Sequence, residues 1–143
     1  MKLKINNETF RYLSVFGTLT GVSAVDCFET GNEIVYVVET GKIGIAVGKK
    51  GVNIKKVESL LKKKIRLIEH SLDAVRFIHN VLYPMKPKNV YVSTKSDGAK
   101  VINIQLDVRM KRTLMREGKN LYNLLNQLVS RHFPNFKIEV RDT

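Results

Sequence analysis

The sequence predicts an α+β fold that consists of two similar units of about 70 residues each. Three observations support this prediction. The 143 residues are 43% hydrophobic and 27% charged, as in folded globular proteins. Apolar residues recur at helical spacing in some stretches and at strand spacing in others. The resulting order of elements, αββααβ, occurs twice, so we expect one domain over residues 1–70 and another over residues 71–143.

The first half supplies its elements in order. Asn6 to Glu8 can open a helix that ends near Gly21 and has these apolar positions: Phe10, Leu13, Phe16 and Leu19. Two strands with a turn around Gly31 follow, at Val25–Phe28 and Ile34–Val38. The unit is completed by a short helix at Lys42–Val47, a helix with Ile54, Val57 and Leu61 on one face, and a strand at Ile65–Ile68.

The second half repeats this order. Ser71 is a suitable N-cap for a helix with Asp73 in its first turn, and the helix carries Leu72, Val75, Ile78 and Leu82 until Pro84 and Pro87 stop it. Strands follow at Val90–Ser93 and Val101–Leu106. In the latter, Ile102, Ile104 and Leu106 alternate with polar residues, which predicts one buried and one wet face. The remaining elements are a short helix at Arg109–Met115, an amphipathic helix over Leu121–Val129 that stops before Pro134, and a strand at Phe136–Val140.

The charge balance is strongly basic. Lys and Arg number 25 against 13 Asp and Glu, a net charge of +12 that both halves share. This excess favours a nucleic acid or an anionic membrane surface as partner, although a merely solubilising surface would also carry it. No apolar stretch is long enough to span a membrane, the N-terminus has no signal-peptide pattern, and Cys27 is the only cysteine. We therefore expect a cytoplasmic protein.

One octapeptide, Val47 to Ile54, joins two of the predicted helices and points to an anionic ligand. Gly48 and Gly51 enclose two lysines, and glycine lets backbone approach a ligand closely. The helix that follows offers unpaired N–H groups and the positive end of its dipole. The plainer alternative is a tight turn between helices that binds nothing.

Other kinds of site find little support in the sequence. His70, His79 and His132 are far apart, and Cys27 has no second ligand at metal spacing, so we expect no metal site. No catalytic set stands out, and the glycine loop lacks the spacing and hydroxyl of a nucleotide-binding P-loop. The sequence thus predicts a protein that is not an enzyme and has no cofactor.

The pattern (I/V)-G-x-x-G-x-x-I between two helices is typical of KH domains, and Val47 to Ile54 matches it at every defined position. Set in an αββααβ unit that repeats, it resembles the type II KH fold, in which helices cover a three-stranded sheet. The whole chain is similar to the archaeal NusA-like transcription factors, which consist of little more than two tandem KH units. Its most specific part is residues 44–55.

The resemblance implies that the loop clamps about four nucleotides of single-stranded RNA. The residues expected to contact RNA are Val47, Gly48, Lys49, Lys50, Gly51, Val52, Asn53, Ile54, Lys55 and Lys56. The loop would follow the sugar–phosphate backbone, Val47 and Ile54 would help line an apolar floor, and Asn53 and Lys55 would reach bases or phosphates.

The second unit departs from the family pattern. An offset of 67 residues aligns Gly51 with Gly118 and Gly48 with Met115, so we expect a second loop over Met115–Gly118. This loop has lost one glycine, and Glu117 adds a carboxylate that disfavours a phosphate. A secondary RNA-binding surface is nevertheless expected here, consisting of Arg112, Arg116, Gly118, Lys119 and Asn120.

For some residues the sequence allows either a structural role or a contact with RNA. Tyr36, Tyr91 and Tyr122 could stack on bases, but their spacing favours packing in the core. Lys62 to Lys64 are more simply the wet face of a helix, whereas Lys55 and Lys56 suit either reading.

Together these observations predict a monomeric binding protein that acts on nascent transcripts in elongation, termination or antitermination. Two alternatives stay open: a ribosome-associated KH protein that binds ribosomal RNA, and an adaptor whose second unit docks on RNA polymerase or other transcription factors.

Overall fold

A computed structural model describes residues 6–142, with the exception of the side chains of residues 117–119. The chain divides into two compact units, and the division falls between Ser71 and Leu72. Each unit contains a three-stranded sheet whose strands are ordered as they occur in the sequence. Within the described part of the chain, no helix has both the length and the apolar character that crossing a membrane requires.

The first unit contains three helices and three strands in the predicted order. They are α1 (Asn7–Thr20), β1 (Ala24–Glu29), β2 (Glu33–Val38), α2 (Ile43–Val47), α3 (Val52–Leu61) and β3 (Lys64–Glu69). A single 3₁₀ turn, Lys49–Gly51, separates α2 from α3. Asn6 caps α1 by accepting the Thr9 N–H, and Gly21 ends it in a left-handed conformation, as the sequence predicts.

The second unit has the same order of helices and strands. They are α4 (Ala74–Leu82), β4 (Asn89–Thr94), β5 (Lys100–Leu106), α5 (Val108–Leu114), α6 (Arg116–His132) and β6 (Phe136–Asp142). The α+β class and the repeated order αββααβ are therefore confirmed.

The direction of the strands places the glycine loop within a crossover. β1 and β2 are antiparallel neighbours, whereas β2 and β3 are parallel, with pairs from Glu33–Lys64 to Val38–Glu69. Parallel neighbours cannot be joined by a hairpin, so the chain must cross from one end of the sheet to the other. In the first unit α2, the 3₁₀ turn and α3 make that crossing. In the second unit, α5 and α6 make it between the parallel strands β5 and β6.

The core of the first unit lies between its sheet and the helices α1 and α3. The rings of Phe16 and Tyr36 stack with their centroids 4.1 Å apart. The Tyr36 hydroxyl donates a hydrogen bond to the Tyr12 carbonyl at 2.7 Å, so Tyr36 is a core residue. Phe10, however, is 63% exposed, which corrects the predicted apolar face of α1. The fully buried positions are Tyr12, Phe16 and Thr20, a stripe that Phe10 does not share.

The start of α4 differs from the prediction. The N-cap is Asp73, whose carboxylate accepts the Val75 N–H at 3.1 Å, and not Ser71. Because the helix is capped by Asp73, Leu72 lies outside α4. Its side chain is 92% exposed. The buried face of α4 consists of Ala74, Phe77, Ile78, Val81 and Leu82.

The predicted wet face of β5 is wrong at Asn103, which is fully buried. Its amide nitrogen donates to Ser93 Oγ at 2.8 Å on β4, and its amide oxygen accepts from Arg141 Nε at 2.7 Å on β6. A polar side chain can be buried at little penalty when its hydrogen bonds are satisfied. Asn103 thus links all three strands through one side chain.

Candidate nucleic-acid interface

The loop between α2 and α3 is a tight turn with three residues at positive φ. Gly48 has φ 79° and ψ 169°, Lys50 has φ 55°, and Gly51 has φ 76°. The Gly48 N–H donates to the Gly44 carbonyl and the Gly51 N–H donates to the Gly48 carbonyl, both at 3.0 Å. Such backbone angles favour glycine, and Lys50 adopts them at a position that faces solvent.

Gly48 is required for a second reason, which is lack of space. A Cβ at this position would lie 2.7 Å from Asn53 Cγ and 2.8 Å from Asn53 Nδ2. Both distances are well below an ordinary van der Waals contact. The bare backbone of Gly48 is therefore packed against the side chain of Asn53.

Asn53 also joins the two helices on either side of the loop. Its Nδ2 donates to the carbonyl oxygen of Ile45 at 3.0 Å. Carbonyls in the last turn of a helix have no partner within that helix, so this bond satisfies a group at the end of α2 from the start of α3. The predicted RNA contact of Asn53 accordingly competes with a bond inside the protein, and the structure identifies Asn53 as a residue that holds the loop.

The predicted lysines lie on the surface around this turn. Lys49, Lys50, Lys55 and Lys56 are exposed, and none takes part in an ion pair among the residues that the structure describes. α3 begins directly after the loop, so the positive end of its dipole lies there, and no side chain caps its first turn. The region concentrates positive charge that no described carboxylate neutralises.

The simpler prediction, that Lys62 to Lys64 form the wet face of a helix, is wrong. Lys62 ends α3 in a left-handed conformation with φ 57°, and Lys64 begins β3. Lys63 forms an ion pair with Glu29 across the sheet, with both side chains about one-third exposed (32% each). This cluster thus contributes to the fold of the unit.

Apolar side chains near the loop divide into half-buried and exposed sets. Ile54 is half-buried and packs against the core, and Val47 is also half-buried. Val52 is 42% exposed, and Ile45 is 55% exposed. Exposed Ile45 is not among the residues that the motif selects. A helical wheel of α2 identifies it, because Ala46 is buried and Ile45 is rotated away from it by about 100°.

The corresponding part of the second unit has no four-residue loop, which corrects the prediction for Met115–Gly118. Only Met115 separates α5 from α6, with φ −94° and ψ 4°, and α6 begins at Arg116. A methionine at this position disfavours the positive φ that Gly48 adopts, so the chain resumes a helix at once. Gly118 lies within α6 instead of in a turn.

The secondary surface therefore consists of helix positions. Arg112 on α5 and Arg116 and Asn120 on α6 are exposed. Gly118 and Lys119 belong to α6, but the Lys119 side chain is outside the described part of the structure. Among the described residues, no group of three or more His, Cys, Asp or Glu side chains could hold a metal ion.

The chain is similar to a known protein family and to a solved structure. A sequence profile of the family described as "KH domain" matches residues 4–112, which include the whole glycine loop. The chain is also similar to the crystal structure of APE1850, with a TM-score of 0.76 and 29% sequence identity. That match covers 96% of this chain and 100% of the other.

Curated relatives carry a common name. A "Probable transcription termination protein NusA" from Methanococcus vannielii is 35% identical over 122 residues, which are 85% of this chain and 70% of that protein. A protein of the same name from Methanocaldococcus jannaschii is 31% identical over 141 residues, 97% of this chain and 75% of that protein.

Proposed function

We propose that this chain, which belongs to the KH-domain family and within it to the archaeal NusA-like proteins, binds single-stranded RNA through the loop between α2 and α3. The observation that carries the proposal is the conformation of that loop. Gly48 and Gly51 have positive φ and bare backbone, and exposed Lys49 and Lys50 lie between them. KH loops of this pattern clamp about four backbone nucleotides.

The proposal assigns different roles to the two units. The first unit, residues 1–70, is the KH domain that clamps RNA, with Val47 to Lys56 as its contact segment. The second unit, residues 71–143, is a KH domain without a working clamp. Its exposed Arg112, Arg116 and Asn120 supply a secondary RNA-binding surface within this unit. The guanidinium group of an arginine on a helix can bind a phosphate with two hydrogen bonds, and this needs no glycine turn.

We also propose that the RNA is a nascent transcript and that the protein acts in transcription elongation, termination or antitermination. The support is the name of its archaeal relatives, probable transcription termination protein NusA. Crosslinking in cells followed by sequencing of the bound RNA tests this role. Enrichment of nascent messages supports it, whereas enrichment of ribosomal RNA alone would favour a ribosome-associated protein.

The clamp itself is tested by reversing charge at the loop. We expect Lys49→Asp with Lys50→Asp to abolish binding to a short unstructured RNA, as measured by fluorescence anisotropy, while circular dichroism shows an unchanged fold. The matched control is Lys86→Asp with Lys88→Asp, because both lysines are exposed and the change in net charge is the same. Equal loss of affinity in both double variants would show that only overall charge matters.

One observation favours a second candidate function for the second unit. Because α5 passes into α6 through Met115 alone, this unit lacks the turn that would hold an RNA backbone. In this case the unit would dock on RNA polymerase or another transcription factor. Capture of polymerase by the full chain after nuclease treatment, and its loss in Arg112→Glu with Arg116→Glu, would support the adaptor role.

A further inference from the structure

One face of the sheet in the second unit reaches solvent. Side chains alternate between the two faces of a strand, so Ile102 and Ile104 of β5 share one face. Both are fully buried, as expected of the side that packs against helices. Asn103 lies on the other face, where the side chains of Arg141 and Lys95 are 49% and 52% exposed. This second face, called the outer face below, therefore has no helix over it.

The first sheet differs from the second on this side. Tyr36 of β2 stacks on Phe16 of α1, so Val35 and Val37 lie on the side of β2 that is turned away from α1. Both valines are fully buried. In the second unit the outer face instead combines an aromatic ring, an amide and charged groups. An exposed polar face is thus a property of the second sheet.

Asn103 holds an arginine head group in place over the outer face. Its amide oxygen accepts the Arg141 Nε–H at 2.7 Å, and a terminal nitrogen of Arg141 donates to Glu139 at 2.7 Å. A guanidinium group has five N–H donors, so these two bonds leave three others for a ligand. They also fix the plane of the group in advance, which reduces the entropy that is lost on binding.

An exposed aromatic ring lies on the other side of Asn103. Tyr91, Asn103 and Glu139 are paired across β4, β5 and β6, so Tyr91 and Arg141 belong to the two outer strands, which are about 10 Å apart. The Tyr91 residue is 37% exposed. The outer face therefore presents a ring and an oriented guanidinium group at a short separation.

The charges of the outer face favour an anion. Glu139 is paired with Lys95 at 3.0 Å and with Arg141 at 2.7 Å, so this carboxylate has two basic partners. Lys137, two residues before Glu139 on the same face, is exposed. The residues named here thus supply three basic groups and one carboxylate, and an anionic partner complements this balance.

We propose that the outer face is a separate RNA site, in which a base stacks on the Tyr91 ring and an adjacent phosphate binds Arg141. Aromatic rings stack on any base, and a guanidinium group can bind a phosphate with two parallel hydrogen bonds. The exposed ring favours RNA over an acidic peptide, because a base supplies the planar face that stacks. The inference takes its class of ligand from the proposed function, but it does not depend on the clamp.

The test uses the full chain with Lys49→Asp and Lys50→Asp, so that the clamp no longer contributes. We expect the outer face to bind a four-nucleotide RNA with a Kd in the millimolar range, which is too weak for the anisotropy measurement but is measured by nuclear magnetic resonance. The signals of the Tyr91 ring and of the Asn103 side-chain amide should shift as RNA is added. Tyr91→Ala, in the same background, should raise the Kd read from the Asn103 signal by at least about fivefold.

Tyr83→Ala is the matched control, because Tyr83 is 74% exposed but follows α4 and lies outside the sheet. We expect it to leave the Kd unchanged. If neither signal shifts, if Tyr83→Ala weakens binding as much as Tyr91→Ala, or if only an acidic peptide shifts the two signals, the inference is wrong. Failure of the clamp is seen separately, as an unchanged affinity of the Lys49 and Lys50 double variant in the anisotropy measurement.

Discussion

The side chain of Asn53 occupies the space that a Cβ at Gly48 would need, with Asn53 Cγ only 2.7 Å from that position. The same amide donates to the Ile45 carbonyl, so it cannot move aside without breaking a hydrogen bond. Gly48 and Asn53 therefore specify each other. Their contact holds the turn in one conformation before any ligand binds, which lowers the entropy that binding must overcome.

This contact predicts an energetic coupling between the two residues. We expect Gly48→Ala to destabilise the protein by about 1–3 kcal/mol, since alanine meets both the positive φ and the Asn53 side chain. In an Asn53→Ala background the two shortest contacts, to Asn53 Cγ and Nδ2, disappear and only the contact to Cβ at 3.0 Å stays. The same substitution should therefore be less destabilising there by at least about 0.5 kcal/mol. Urea unfolding of the four proteins, followed by circular dichroism, measures this cycle. Additive effects of the two substitutions would contradict the coupling.

The lysines of the turn predict a specific salt dependence. Each phosphate contact on a single strand contributes about 0.7 to the slope of log K against log salt concentration. Lys49→Gln with Lys50→Gln should therefore reduce this slope by about 1.4. A binding series in increasing salt measures it, with Lys86→Gln and Lys88→Gln as the control of equal charge. If the slope is the same in the loop variant and the wild type, neither lysine contacts a phosphate.

Glu29 predicts a dependence of stability on pH. Hydrogen bonds from Lys63 and then from Tyr12 lower the pKa of the Glu29 carboxyl in the folded protein. A lowered pKa stabilises the fold above the ordinary Glu value, and this stabilisation is lost as the pH falls through the folded value. Because the side chain is 32% exposed, we expect its contribution to be below about 1 kcal/mol.

The measurement for Glu29 compares the wild type with Glu29→Gln in urea at pH 7 and at pH 3. The difference in unfolding free energy should be larger at pH 7 and should shrink at pH 3, where the carboxyl is protonated in the unfolded chain. A difference that is the same at both pH values would mean that the ionised carboxylate has no part in the stability.

Local patterns in the sequence were sufficient to predict most of the fold. Gly21 marks a helix end because glycine tolerates the left-handed conformation there, and the spacing of Val57 and Leu61 reveals the buried side of α3. Asn103 could not be predicted, because its partners Ser93 and Arg141 are 10 and 38 residues away. Burial of a polar side chain depends on such distant partners.

In the candidate site, too, locally determined features can be predicted from the sequence, and features that depend on distant partners cannot. The two glycines predict the turn itself, because a positive φ has a residue preference that can be read directly from the sequence. The hydrogen bond from Asn53 to the Ile45 carbonyl cannot be predicted in this way, since it depends on the distance across the turn. The second turn was predicted by aligning the two halves, but an alignment does not show that Met115 adopts a negative φ.

The two connections within each sheet tolerate insertions very differently. The hairpin turns at Gly31 and Gly98 are exposed and join antiparallel strands, so extra residues there would leave every strand pair intact. The turn at Gly48 lies within the crossover that sets β3 beside β2. An added residue there would rotate α3 by about 100° and turn Val57 out of the core. Length variation among related chains should therefore collect at the hairpins, and the hairpins are also where a tag or a circular permutation should be placed.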